Sequence, residues 1–139
     1  MASDSYGLAY GEPVIVRVKI DSSTSAIDQF DHLTLASAGY FKKCSAGDTP
    51  YCVALEAGGV PAADGEITIT ADISELTVYR YPVGTGTLTQ AMVGLTCDLA
   101  GSRSIDVTAS ADDNIVILEA DVTNNVALIR HKYTFSGVV

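Results

Sequence analysis

The sequence has little tryptophan, histidine, cysteine or positive charge, and each shortage narrows the range of functions. Its 139 residues include no tryptophan, 2 histidines, 3 cysteines and 8 basic residues against 17 acidic ones. Nucleic acids and anionic membrane surfaces both attract clustered lysine and arginine. The formal net charge of −9 therefore predicts neither a nucleic-acid partner nor a membrane partner.

Long apolar runs and a leader pattern are also missing. No run approaches the ~18 apolar residues that span a membrane. The start, MASDS, lacks the basic and apolar regions of a signal peptide. These features predict a protein that folds in the cytoplasm where it is made. An odd number of cysteines is a poor disulfide framework. Cys44, Cys52 and Cys97 are thus expected to be free thiols, Cys97 as a small buried hydrophobe.

Catalytic and cofactor signatures are absent as well. The sequence contains no phosphate-binding loop, no HExxH, no CxxC and no GxSxG. His32 and His131 have no supporting motif and are expected to be exposed residues of a loop or strand. Asp98 and Asp106 are expected to be solvated strand residues rather than a carboxylate pair. We predict no catalytic site, no enzymatic activity and no cofactor.

One acidic cluster, Asp112-Asp113-Asn114, carries the oxygen ligands that Ca²⁺ prefers. It lacks the alternating acidic spacing and the distal glutamate of an EF-hand loop. The same residue types favour a turn, in which their side chains bond to the nearby backbone. We predict a turn between two strands and no metal site.

What the sequence does contain is a succession of short apolar runs separated by turn residues. In residues 14–20, valine and isoleucine alternate with arginine and lysine, which is the period of a half-buried strand. Similar runs recur up to residue 135, with residues 92–97 predicted as a strand and 82–86 as a flexible loop. About ten short strands at this spacing predict an all-β fold. We expect a small single-domain β-barrel or sandwich over residues 14–139.

Residues 1–13 show little periodicity and are predicted to form an extended N-terminal arm. Tyr6, Leu8 and Tyr10 point to one side if the arm is extended, and tyrosine is common at protein interfaces. With Pro13 at the end of the arm, these four residues are predicted to bind a partner protein. The alternative is that the arm packs against its own domain or a sister subunit.

Four segments resemble a known family, the capsid decoration (cement) proteins of tailed bacteriophages. They are residues 47–56 (GDTPYCVALE), 92–99 (MVGLTCDL), 104–113 (SIDVTASADD) and 121–127 (DVTNNVA). The resemblance runs from about residue 40 to residue 132. It rests on patterns of strand and turn rather than on catalytic signatures.

The resemblance implies a non-enzymatic β domain on the outside of an icosahedral shell, where it reinforces joints between major capsid subunits. The implied partner is the major capsid protein, and the implied location is the capsid outer surface of the virion, assembled in the host cytoplasm. A homotrimer is expected, with a dimer as the alternative. The competing interpretation is a β-sandwich binding module of a phage tail, fibre or adhesin that recognises a surface glycan, although glycan platforms often use tryptophan.

Overall fold

Eleven short β-strands make up the sheets of residues 6–132, the part of the chain that the computed structural model describes. This confirms the predicted all-β fold. No helix in these residues is long and apolar enough to cross a membrane. The strands are β1 (Gly7–Tyr10), β2 (Ile15–Ile20), β3 (His32–Ser37), β4 (Tyr40–Lys43), β5 (Cys52–Ala54), β6 (Thr68–Asp72), β7 (Val78–Thr85), β8 (Thr96–Gly101), β9 (Ser104–Asp106), β10 (Ile115–Asp121) and β11 (Val126–His131).

Five strands close into a barrel in the order β2-β4-β3-β5-β6, here called the β2 barrel. The alternating pattern in β2 explains its orientation, because Val18 and Ile20 are buried while Arg17 and Lys19 are exposed. The other buried apolar residues of this core come from all sides of the barrel: Ile27, Leu33, Phe41, Cys52, Ala54, Ile69 and Ala71.

The remaining strands form a six-stranded sheet in the order β1-β7-β11-β10-β8-β9. Since β7 also pairs with β9, each of the strands β7, β11, β10, β8 and β9 pairs with the next and the last pairs with the first. We call these five strands the β7 ring. Val53 of β5 belongs to the apolar core of this ring. The β2 barrel and the β7 ring are therefore packed against each other.

Two local predictions are wrong, and both errors concern residues next to proline or glycine. Most of residues 82–86, predicted as a loop, continues β7 to Thr85. Pro82 has no N–H but is tolerated within β7. On the side of β7 away from β11, β1 pairs only up to Arg80 and β9 pairs only from Val83, so no ladder hydrogen bond requires an N–H at Pro82. Residues 92–97 are not one strand: a 3-10 helix, Gln90–Met92, and a turn at Gly94 precede β8.

The predicted extended N-terminal arm is not confirmed as a free segment. Gly7–Tyr10 forms β1, which is antiparallel to the first residues of β7. Sequence periodicity missed this strand because it is only four residues long and contains a glycine. Residues 1–5 of the predicted arm and residues 133–139 of the predicted domain lie outside the described residues.

Candidate functional site

The outer edge of β1 is the first candidate site. Among the strands of residues 6–132, β1 has one partner strand, whereas each of the others has at least two. A strand that is paired on one side presents backbone N–H and C=O groups to an incoming strand. This edge is therefore suited to strand addition by another protein.

A β-bulge changes how the predicted binding residues are arranged. Leu8 lies opposite Tyr79, but Tyr10 lies opposite Val78, because the register shifts between them. Consecutive residues of β7 point to opposite faces of the sheet, and residues directly opposite share a face. Leu8 and Tyr10 thus lie on opposite faces, and the prediction that they point to one side is wrong. The bulge adds a residue that simple alternation does not anticipate.

The apolar surface at this edge extends beyond β1. Five of the nine large apolar side chains exposed within residues 6–132 belong to it, and together they define the apolar edge. The chain after β1 follows residues 72–78: Thr77 donates a hydrogen bond to the Glu12 carbonyl (3.4 Å), and the Ile73 N–H to the Val14 carbonyl (3.1 Å). The members are Leu8, Tyr10, Val14, Ile15 and Leu76, with Leu76 80% exposed.

Tyr6 and Pro13 occupy different surroundings from Leu8 and Tyr10. The Tyr6 ring lies edge-on to Phe30, with ring centroids 6.4 Å apart, and the Arg103 guanidinium lies 5.0 Å from the Tyr6 centroid. Arg103 also donates a hydrogen bond to the Tyr6 hydroxyl (3.2 Å). Pro13 is half-buried. Tyr6 is thus engaged by its own domain, as the alternative for the arm anticipated.

The second candidate site is a buried polar cluster between the β2 barrel and the β7 ring, which we call the junction. His32 begins β3 and His131 ends β11, and both are fully buried. Their Nε2 atoms form a hydrogen bond, and their ring centroids lie 4.6 Å apart. The prediction that these two histidines are exposed is therefore wrong.

The partners of His32 define its tautomer. Its Nδ1 lies 2.8 Å from the carbonyl oxygen of Ser102, which only accepts hydrogen bonds, so Nδ1 carries the proton. In the neutral ring Nε2 is then the acceptor, and His131 donates through its own Nε2. Burial lowers the pKa of His32 to about 4, and burial lowers that of His131 well below its ordinary value. Both imidazoles are therefore neutral at pH 7.

Asp31 brings negative charge into the junction. Its side chain is fully buried and lies 3.1 Å from Arg103 Nε and 3.4 Å from Lys43 Nζ. It also accepts hydrogen bonds from the Ser102 hydroxyl (2.8 Å) and the Asp28 N–H (2.7 Å). These contacts tie the loop before β3 to β4 and to the turn between β8 and β9.

Asp72 of β6 also connects the β2 barrel to the β7 ring. This buried carboxylate accepts hydrogen bonds from the Tyr79 hydroxyl (2.6 Å) and from the N–H groups of Val14 and Ser74 (2.8 Å each). Burial and the Asp72 carboxylate raise the pKa of Tyr79 well above its ordinary value. On the same face of β7, the Tyr81 hydroxyl donates to the Phe30 carbonyl (2.7 Å). The two tyrosines are thus polar core residues rather than surface contacts.

We expect Tyr79→Phe to lower the free energy of unfolding by about 1.5–3 kcal/mol. The substitution keeps the ring and removes one donor to a buried carboxylate, which then has an unsatisfied oxygen. Chemical denaturation of the wild type and the variant measures the difference. A change below ~0.5 kcal/mol would show that the hydroxyl does not stabilise Asp72.

Asp98, in β8, is hydrogen-bonded to the acidic segment at residues 112–114 that was predicted to form a turn. Asp98 is buried, against expectation, and its carboxylate accepts hydrogen bonds from the backbone N–H groups of Ala111, Asp112 and Asp113 (2.9–3.0 Å). Asp106 binds the N–H and hydroxyl of Thr108. Within residues 6–132, no group of three or more metal-ligating side chains is placed to hold an ion.

The three cysteines are free and buried. Burial raises the pKa of Cys52 and of Cys97 to about 12, and burial raises that of Cys44 well above its ordinary value. Thiols with such pKa values are mostly protonated at neutral pH and are weak nucleophiles. They therefore act as core residues.

Comparison with known proteins does not assign the chain to a family. No protein-family model matches it, and no curated protein matches it.

Proposed function

We propose that the protein is a non-enzymatic capsid decoration protein that binds the outside of a tailed-phage shell and stabilises joints between major capsid subunits. The observation that carries this proposal is that the apolar edge coincides with the side of β1 that has no partner strand within residues 6–132. Exposed apolar surface beside an open strand is a common setting for binding another protein.

The composition of the edge supports a protein partner. Residues 6–15 contain a single charged residue, Glu12, although the chain as a whole carries a net charge of −9. Cores of protein interfaces are similarly depleted in charge and enriched in aromatic residues. Tyr10 is 54% exposed, so its ring is available to a partner.

The energetics of binding also favour this edge. Covering one apolar side chain contributes on the order of 1–3 kcal/mol, from which the loss of mobility is subtracted. Since β1 is already held against β7, it loses less conformational entropy on binding than a free arm would. A homotrimer, or a dimer, would present several such edges to one shell and gain avidity.

The junction argues against catalysis as the main function. His32 and His131 are fully buried and hydrogen-bond to each other, so neither ring is exposed to solvent. The neighbouring acid, Asp31, is occupied by two cations. These polar residues instead join the β2 barrel to the β7 ring.

We expect the double variant Leu8→Lys/Tyr10→Lys to lose at least tenfold in capsid occupancy while melting nearly as the wild type does. Two charged side chains at the centre of the contact oppose desolvation, and both positions are about half exposed in the free protein. Leu95→Lys is the control, since Leu95 is 56% exposed but lies before β8.

The measurement uses shells assembled from major capsid proteins of tailed phages, to which the purified protein is added. Co-sedimentation gives the number of bound copies. Unchanged occupancy in the double variant would place the contact elsewhere. If the wild-type protein binds none of these shells but binds immobilised cell-surface glycans, the glycan-binding module is the better assignment.

A further inference from the structure

We propose that the His32–His131 pair is an acid-sensitive latch that holds the β2 barrel against the β7 ring when both imidazoles are neutral and releases it when they are protonated. The proposal rests on the position of the pair and on its hydrogen-bond geometry. It is independent of the proposed binding of a capsid.

The latch joins two separately closed sets of strands. His32 belongs to the β2 barrel, and its side chain contacts His131 in β11 of the β7 ring and Ser102 in the turn between β8 and β9. The backbone N–H of His32 also donates to the Ser102 carbonyl (2.7 Å). One residue therefore makes three polar contacts across the junction.

The number of protons in the pair determines whether the contact persists. In the neutral pair, one proton lies between the two Nε2 atoms. When both rings are protonated, each Nε2 carries a proton, so neither is an acceptor and the hydrogen bond is lost. Two cations then face each other at fully buried positions, where charge is strongly disfavoured.

The carboxylate next to His32 is already paired with other cations. Asp31 precedes His32 in the chain, but it already balances Arg103 and Lys43. The Tyr81 ring lies 4.7 Å from His32 and the Tyr79 ring 5.7 Å from His131, and both are neutral phenols at pH 7. Val53 lies opposite His32 in the sheet, Ile115 lies opposite His131, and both are apolar. Other ionisable groups of residues 6–132 near the junction include Asp72, which binds Tyr79, and the Cys44 and Cys52 thiols.

The sign of the pH dependence follows from linkage. An unfolded chain binds a proton on each histidine below about pH 6.5, whereas the folded His32 does so only near pH 4. The folded state therefore loses stability as the pH falls from about 6.5 towards 4. When the pH falls from 6 to 5, each histidine is expected to raise the ratio of unfolded to folded protein by up to about tenfold. Asp21, Glu56 and Asp121 have lowered pKa values and act mainly below this window.

The test combines urea unfolding at pH 7.5, 6.5, 5.5 and 5.0 with hydrogen exchange at pH 7 and 5, corrected for intrinsic rates. At pH 5 the His32 amide, which donates to the Ser102 carbonyl across the junction, should lose at least tenfold more protection than the Val18 amide inside the β2 barrel. The variant His32→Gln/His131→Gln should lack the added loss of stability between pH 6.5 and 5.

Measurements on the wild type alone keep the proposal falsifiable if the double variant does not fold. The imidazole ¹⁵N resonances should show the Nδ1-protonated tautomer for His32 and the Nε2-protonated tautomer for His131 at pH 7. Imidazoles that titrate near pH 6.5 in the folded protein would overturn the latch. Equal loss of protection at all amides would also overturn it, because the barrel and the ring would then unfold as one unit.

Discussion

Asp31→Ala is expected to lower the free energy of unfolding by about 3–5 kcal/mol, because it removes a buried charge that is fully paired. Arg103 and Lys43 would lose their buried partner, and the Ser102 hydroxyl and the Asp28 N–H would lose an acceptor. Chemical denaturation at pH 7.5 measures the loss.

Asp28→Ala is the matched control for this prediction. Asp28 also pairs with Arg103, at 3.6 Å, but its side chain is 58% exposed. Exposed ion pairs contribute at most about 1 kcal/mol. Similar losses in the two variants would contradict the conclusion that burial decides the importance of the Asp31 pairs.

Local patterns were sufficient to predict the fold class and several strands. The alternation in residues 14–20 predicted β2 and its buried face, and the run at residues 115–121 coincides with β10. Turn residues between the runs marked most of the loops. These features depend on near neighbours in the chain, which a sequence displays directly.

The junction depends on contacts that a sequence does not display. His32 and His131 are 99 positions apart, and Asp31 and Ser102 are 71 apart. One local signal was nevertheless present: Ala127, Ile129 and His131 alternate along β11, and all three are buried. Counting by twos from Ile129 predicts that His131 faces the core, whereas its polarity suggested the surface.

The exposed surface at β1 was predicted in part, and its role in binding stays a prediction. Leu8 and Tyr10 were singled out from the sequence, and both are exposed in a strand that has one partner among the described strands. Their placement on opposite faces could not be predicted, because a bulge has no distinct residue pattern in a strand of four residues. The contribution of Leu76 to the same surface was missed, since it comes from a distant part of the chain.

Two leucines of β3 show that strand alternation alone does not predict which side chains are buried. Leu33 and Leu35 are two positions apart, and strand periodicity places them on one face. Leu33 is fully buried in the core of the β2 barrel, whereas Leu35 is 53% exposed. The register of β3 against β4 shifts between Leu35 and Ser37, so the regular pairing ends just beyond Leu35.

Leu33→Ala is expected to lower the free energy of unfolding by about 2–5 kcal/mol, and Leu35→Ala by at most ~0.5 kcal/mol. The first substitution removes buried carbon atoms and leaves a cavity among Ile20, Phe41 and their neighbours in the same core cluster. The second removes atoms that are already half in contact with water. Because both changes are the same and lie on one strand, differences in β propensity largely cancel. Urea denaturation of the two variants measures the contrast. A loss of more than ~2 kcal/mol for Leu35→Ala would mean that this side chain is covered in solution, for instance by a second copy of the chain, and Leu35 would then belong to an interface.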